Sequence, residues 1–119
     1  MYNDNLADRC REIISLTHSN VEEKKMFGGL CFMVNEKMCV GVVKEELLVL
    51  INPEIFNEVI EKDGCRPMDF TGKSMKGFVF VNETGLDNKN KLEFWVQLAL
   101  DYNTIAKASK KNKVSKKKN

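Results

Sequence analysis

A chain of 119 residues, 43% hydrophobic and 30% charged, suits a single folded domain, and no apolar run approaches the ~20 residues of a membrane-spanning helix. The opening MYNDNLADRC lacks the basic start and apolar centre of a secretory signal, so the expected location is the cytoplasm, with no membrane partner. The net charge of +2 divides unevenly: residues 1–106 hold 12 Lys/Arg against 17 Asp/Glu, leaving −5, whereas residues 107–119 hold seven lysines and no acid. An acidic body is a poor platform for a phosphate backbone, which excludes the folded part as a general nucleic-acid binder.

In chain order, Asp4 or Asn5 is placed to cap a first helix. Leu6, Cys10, Ile13, Ile14 and Thr17 follow on one helical face, and His18-Ser19-Asn20 ends it. The charged run Val21 to Lys25 leads out of the helix. Met26 and Phe27 precede Gly28-Gly29, a bend or bulge. Leu30 to Val34 and Lys37 to Val43 read as strands around an Asn35-Glu36 hairpin turn. A two-residue turn puts Cys31, Met33, Met38, Val40 and Val42 on one apolar face and Phe32, Val34, Lys37 and Cys39 on the other. Cys31 and Cys39 then point apart.

Lys44-Glu45-Glu46 makes a second turn before the apolar strand Leu47 to Ile51. Asn52 caps a helix with Pro53 at its first position, buried through Ile55, Phe56, Val59 and Ile60 and stopped by Gly64. Arg66 to Lys76 reads as an ordered loop, and Gly77 opens a strand over Phe78 to Val81. Asp87 or Asn88 caps a last helix from Lys89 to Tyr102. Its core face is Leu92, Trp95, Val96, Ala99 and Tyr102, and Phe94, Leu98 and Leu100 widen the apolar arc beyond half the circumference. A helix that broad is deeply buried or meets a partner. The order α-β(3–4)-α-β(1–2)-α predicts an α+β fold, a two-layer sandwich with a mostly antiparallel sheet. Residues 1–106 form the expected domain. Residues 107–119, with Lys107, Lys110, Lys111, Lys113, Lys116, Lys117 and Lys118, form an expected disordered tail.

Reactive side chains are sparse. Cys10, Cys31, Cys39 and Cys65 form no CxxC pair, and His18 is the single histidine, so zinc-binding spacing is absent and free buried thiols are expected. Gly72-Lys73-Ser74 resembles the end of a phosphate loop, but Pro67 stands where the first glycine is needed. His18 suits a helix C-terminus, about 12 Å from Cys10 along one helix and too far to activate it. Glu22-Glu23 and Glu45-Glu46 read as solvated turn residues. Asp69 is the carboxylate most suited to partial burial, in an ion pair with Arg66, Lys73 or Lys76. No catalytic set, metal site or cofactor is expected.

Two segments carry a family resemblance: MFGGLCFMVNEKMC at Met26–Cys39 and RPMDFTGKSMKGFV at Arg66–Val79. Together they resemble the N-terminal domain of the bacterial TfoX/Sxy family, over residues 4–105 in order and spacing. The resemblance implies a two-layer α/β fold of the secretion-chaperone kind. It also implies kinship with regulators of natural DNA uptake, and it supplies no established catalytic residues. Those regulators carry a second, C-terminal domain; here a lysine tail follows instead, so a stand-alone N-terminal domain is expected.

The expected function is a non-enzymatic regulatory module that binds a protein, with self-association as a homodimer among the possibilities and Phe94, Leu98 and Leu100 as contact candidates. One alternative is a nucleic-acid accessory protein making weak, salt-sensitive contacts through the tail lysines. Another is a ligand-binding or enzymatic domain with a basic pocket at Met26, Phe27, Gly28, Gly29, Arg66, Lys73, Lys76 and Gly77.

Overall fold

A computed structural model describes residues 2–26, 28–70 and 73–105, with backbone alone at 69, 70 and 73–76. Helix α1 (Asp4–Ser15) leads into four strands, β1 (Val21–Met26), β2 (Gly29–Val34), β3 (Lys37–Val43) and β4 (Glu46–Leu50). A 3-10 turn at Pro53–Ile55 and a single helical turn α2 (Phe56–Val59) follow. Strands β5 (Cys65–Phe70) and β6 (Lys73–Val81), a 3-10 turn at Glu83–Leu86 and helix α3 (Lys89–Asn103) complete the chain. The six strands form one antiparallel sheet in the order β1-β2-β3-β4-β6-β5. The helices pack on one face of it, giving the expected two-layer α+β architecture.

Local chemistry accounts for most of the boundaries. Asn3, rather than Asp4 or Asn5, caps α1, its Oδ1 accepting the Leu6 amide at 3.0 Å. Asn52 and Asn88 cap as their positions predict, the latter accepting the Lys91 amide at 2.9 Å. Asn35 and Glu36 both have positive φ, at 53° and 68°, which is the backbone of a type I′ hairpin turn.

Two segments differ from expectation. The charged run Val21–Met26 is an edge strand, and Arg66–Phe70 and Lys73–Lys76 belong to the strands β5 and β6 rather than to a loop. The faces of the β2–β3 hairpin also differ. Phe32 pairs with Val40 but Met33 pairs with Met38, so Cys39 is an extra residue in a β-bulge. The bulge changes the parity of β3. Leu30, Phe32, Val34, Cys39, Val40 and Val42 therefore face the helices. Cys31 pairs with Gly41, Gly41 with Leu48, Leu48 with Phe80 and Phe80 with Arg66, one row across the opposite face.

The core lies between helices and sheet. From α1 it takes Leu6, Ala7, Cys10 and Ile14; from β4 and β6, Leu47, Val49, Val79 and Val81; from α3, Leu92, Trp95, Val96, Ala99 and Leu100. Each fully buried aliphatic or aromatic side chain contributes about 1.5–3 kcal/mol. Asn103 is the single buried polar side chain among the described residues. Its amide donates to the Val34 carbonyl at 3.1 Å, and Lys37 Nζ reaches the Asn103 carbonyl at 2.6 Å, so the last turn of α3 is tied to the β2–β3 hairpin.

The turn into β5 depends on Gly64. Its φ is +77°, and a Cβ there would lie 2.5 Å from the Gly85 amide nitrogen. Gly64→Ala is expected to cost about 2 kcal/mol or more, lowering Tm by roughly 8 °C or more. Gly77→Ala, whose Cβ would meet nothing nearer than 3.9 Å, is expected to shift Tm far less. Thermal unfolding followed by circular dichroism checks both.

Candidate functional site

The described residues of the expected basic loop pocket lie apart in the sheet. Met26, Gly28 and Gly29 lie at the β1–β2 turn, while Arg66 and Gly77 lie on β5 and β6 at the other side of the sheet, with β3 and β4 between. Adjacent strands are about 4.8 Å apart, so β1 and β5 are separated by some 24 Å across the sheet. Arg66 is already engaged: its guanidinium pairs with Glu46 at 2.7 Å and stacks over Phe80 at 4.7 Å. Gly29 is needed for strand packing, since a Cβ there would fall 2.0 Å from the Val42 carbonyl oxygen. The Gly77 carbonyl accepts the Ile51 amide. Phe27, Gly72, the tail lysines and the side chains of Lys73, Lys76 and Asp69 lie outside what is described.

The thiols are buried or half-buried. All four cysteines are free. Burial pushes Cys10 and Cys39 up to about 12, the latter helped by its neighbour Cys10, and burial pushes Cys31 and Cys65 up to about 11. Thiolate, the nucleophilic form, is therefore scarce at neutral pH. His18 Nδ1 lies 2.8 Å from the Thr17 hydroxyl. Among the described residues, no three His, Cys, Asp or Glu side chains gather in a metal-binding group. Glu23 is held below the usual carboxylate range by its two hydrogen bonds from Arg11, an ion pair that ties β1 to α1.

The outer face of the helical layer is different. Leu16, Phe94 and Ile105 are the exposed large hydrophobics among the described residues, at 77%, 41% and 64% exposure. Leu16 and Phe94 line a groove of about 500 Å³ between α1 and α3, floored by Ile13 and Leu98 and edged by Glu93 and Asp101. Ile105 lines a second groove, about 200 Å³, with Ile55 and Tyr102, and this groove shares Leu98 and Asp101 with the first. The two are therefore contiguous. On the far side of Phe94, a third groove of about 500 Å³ is lined by Trp95, Lys62 and Lys91. Lys62 Nζ sits 4.9 Å from the Phe94 ring centre, and Lys91 is held by Asp87 at 3.1 Å.

Of the three contact candidates on the last helix, Phe94 is exposed and Leu98 is half-buried in the groove floor. Leu100 is a correction: only 2% exposed, it packs into the core and offers no surface. Leu16 was legible only as the residue after the last turn of α1, where it falls off the helical stripe. Ile105, just beyond α3, was hidden in the same way.

The sheet and most of α3 lie within a recognised family. The model of the TfoX N-terminal domain matches residues 14–102, three quarters of the chain. The chain belongs to that family. The matched span includes all six strands, Leu16, Phe94 and Leu98. No curated protein and no solved structure gives a significant match to the chain. Among the described residues of this TfoX N-terminal domain, no helix is long and apolar enough to cross a membrane.

The thiols give a pH signature. A cysteine whose folded pKa lies above its ordinary 9.0 holds its proton more tightly folded than unfolded. Its stabilising contribution is full below pH 9 and is lost as pH rises towards the folded values near 12. By pH ~10.5 the loss is on the order of 2 kcal/mol for each deeply buried thiol. Tm is expected to fall steeply above pH 9, and a Cys10→Ala/Cys39→Ala variant, though less stable at pH 7, is expected to show a shallower alkaline slope in the same melting series.

Proposed function

We propose that this TfoX N-terminal domain is a non-catalytic regulatory module that works by binding a protein partner through the outer face of α1 and α3. Family membership supports a regulatory or accessory role at that coarse level. The observation that carries the reading is the gathering of exposed apolar side chains. Soluble proteins scatter such residues singly. Here Leu16, Phe94 and Ile105 flank two contiguous grooves rather than standing alone. Leaving Leu16 in water forgoes about 1.5–3 kcal/mol that burial against a partner recovers.

Competing surfaces are weaker candidates. Both sheet edges are blunted against strand addition: β1 carries Glu22, Glu23, Lys24 and Lys25, and β5 carries Pro67. The four protonated thiols favour binding over covalent work.

Affinity capture from the host, compared across surface variants, tests the reading. Leu16→Glu and Phe94→Glu are expected to lose the captured partner with Tm changed by no more than a few degrees. Lys24→Glu and Arg66→Glu are expected to retain it. Equal recovery with all four variants would remove the reading.

A further inference from the structure

We infer that the groove between α1 and α3 receives an amphipathic helix of a partner protein, with its apolar stripe on the groove floor and basic residues along its flanks. This rests on the protein-binding reading above and names the chemistry of the bound segment.

Helix α3 carries two stripes. Leu92, Trp95, Val96, Ala99, Leu100 and Asn103 are buried against the sheet and α1. Phe94, Leu98, Asp101 and Ile105 recur at intervals of four, three and four, so they form a second line on the same helix, continued into the turn beyond it. All four line the contiguous grooves. From Phe94 to Ile105 the line runs about 16 Å at 1.5 Å per residue, three turns of helix. A binding helix reads such a length with apolar side chains at i, i+3 or i+4, and i+7.

The charge of the lining selects the flanks of the occupant. Glu93 and Asp101 are the charged residues lining the two grooves, and no Lys or Arg lines either. Asp101 accepts from the Gln97 amide at 2.9 Å, which leaves carboxylate lone pairs for a further donor. Glu93 has Lys89 at 4.0 Å, the outer limit of an ion pair. The body around them carries a net −5 over residues 1–106. Lys or Arg beside the apolar stripe of the occupant gains attraction in both steering and docking, whereas an acidic flank is repelled. A second copy docking by the same groove would bring its own Glu93 and Asp101, so the acidic lining disfavours self-association through this face.

The test uses the full chain, isotopically labelled, and three hydrocarbon-stapled peptides of about 15 residues. One has a leucine stripe flanked by lysines, one the same stripe flanked by glutamates, and one the lysine composition scrambled so that no stripe forms. The lysine-flanked amphipathic peptide is expected to bind at least tenfold tighter than either control, with amide shifts centred on Ile13, Leu16, Phe94 and Leu98. Leu16→Glu, at an exposed position, is expected to weaken it at least tenfold without unfolding the domain, and Glu93→Lys/Asp101→Lys to invert the preference between the two amphipathic peptides. Equal binding of basic and acidic peptides, shifts centred elsewhere, or indifference to Leu16→Glu overturns the inference. So does a gain of tenfold or more on replacing the seven tail lysines with glutamine, which would make the tail the resident of the groove, or a dimer that Leu16→Glu dissociates. If the peptides fail while host capture still depends on Leu16, the helix inference falls and the protein-binding reading stands.

Discussion

The seating of one stripe of α3 on the sheet is the contact from which the rest of the molecule follows. Leu92, Trp95, Val96, Ala99 and Leu100 enter the core, and Asn103 closes it by donating to the Val34 carbonyl. A buried amide left without that acceptor costs about 1–3 kcal/mol, so the end of the helix is held in rotation as well as in position. Lys37 at the terminal carbonyl adds a favourable charge at the negative end of the helix. Once the rotation of α3 is set by its inner stripe, the direction of Phe94, Leu98 and Asp101 is set too. They point along α1 rather than into the sheet.

That geometry separates structural demand from functional opportunity. Two residues of the motif segments that carry the family resemblance are occupied with folding. Gly29 lets β2 approach β3, and Arg66 is spent between Glu46 and Phe80. The sheet edges carry charge and proline. Leu16, at 77% exposure beside a groove, contributes little to the core.

The helices, their Asn52 and Asn88 caps and the Asn35-Glu36 turn were legible because each rests on local chemistry: a side-chain acceptor for a free amide, or a residue tolerant of positive φ. The elements that were not legible depend on neighbours. β1 is an edge strand whose charges protect it and erase its apolar alternation, and β5 tolerates Pro67 because an edge need not donate on both sides. The bulge at Cys39 puts Val40 and Val42 on the face of Leu30 and Phe32 rather than that of Cys31 and Met33, and nothing local to Met38-Cys39-Val40 announces it. The width of the apolar arc on α3 was correct, but only packing decides that Leu100 is inside and Phe94 outside.

A photo-crosslinking amino acid placed singly at Leu16, Phe94, Lys24 and Arg66 in the living host reads the working surface directly. The account predicts one discrete crosslinked protein at Leu16 and Phe94, on the helical face, and none at Lys24 or Arg66. Discrete products from the sheet-edge positions alone, with the helical positions silent, would contradict it.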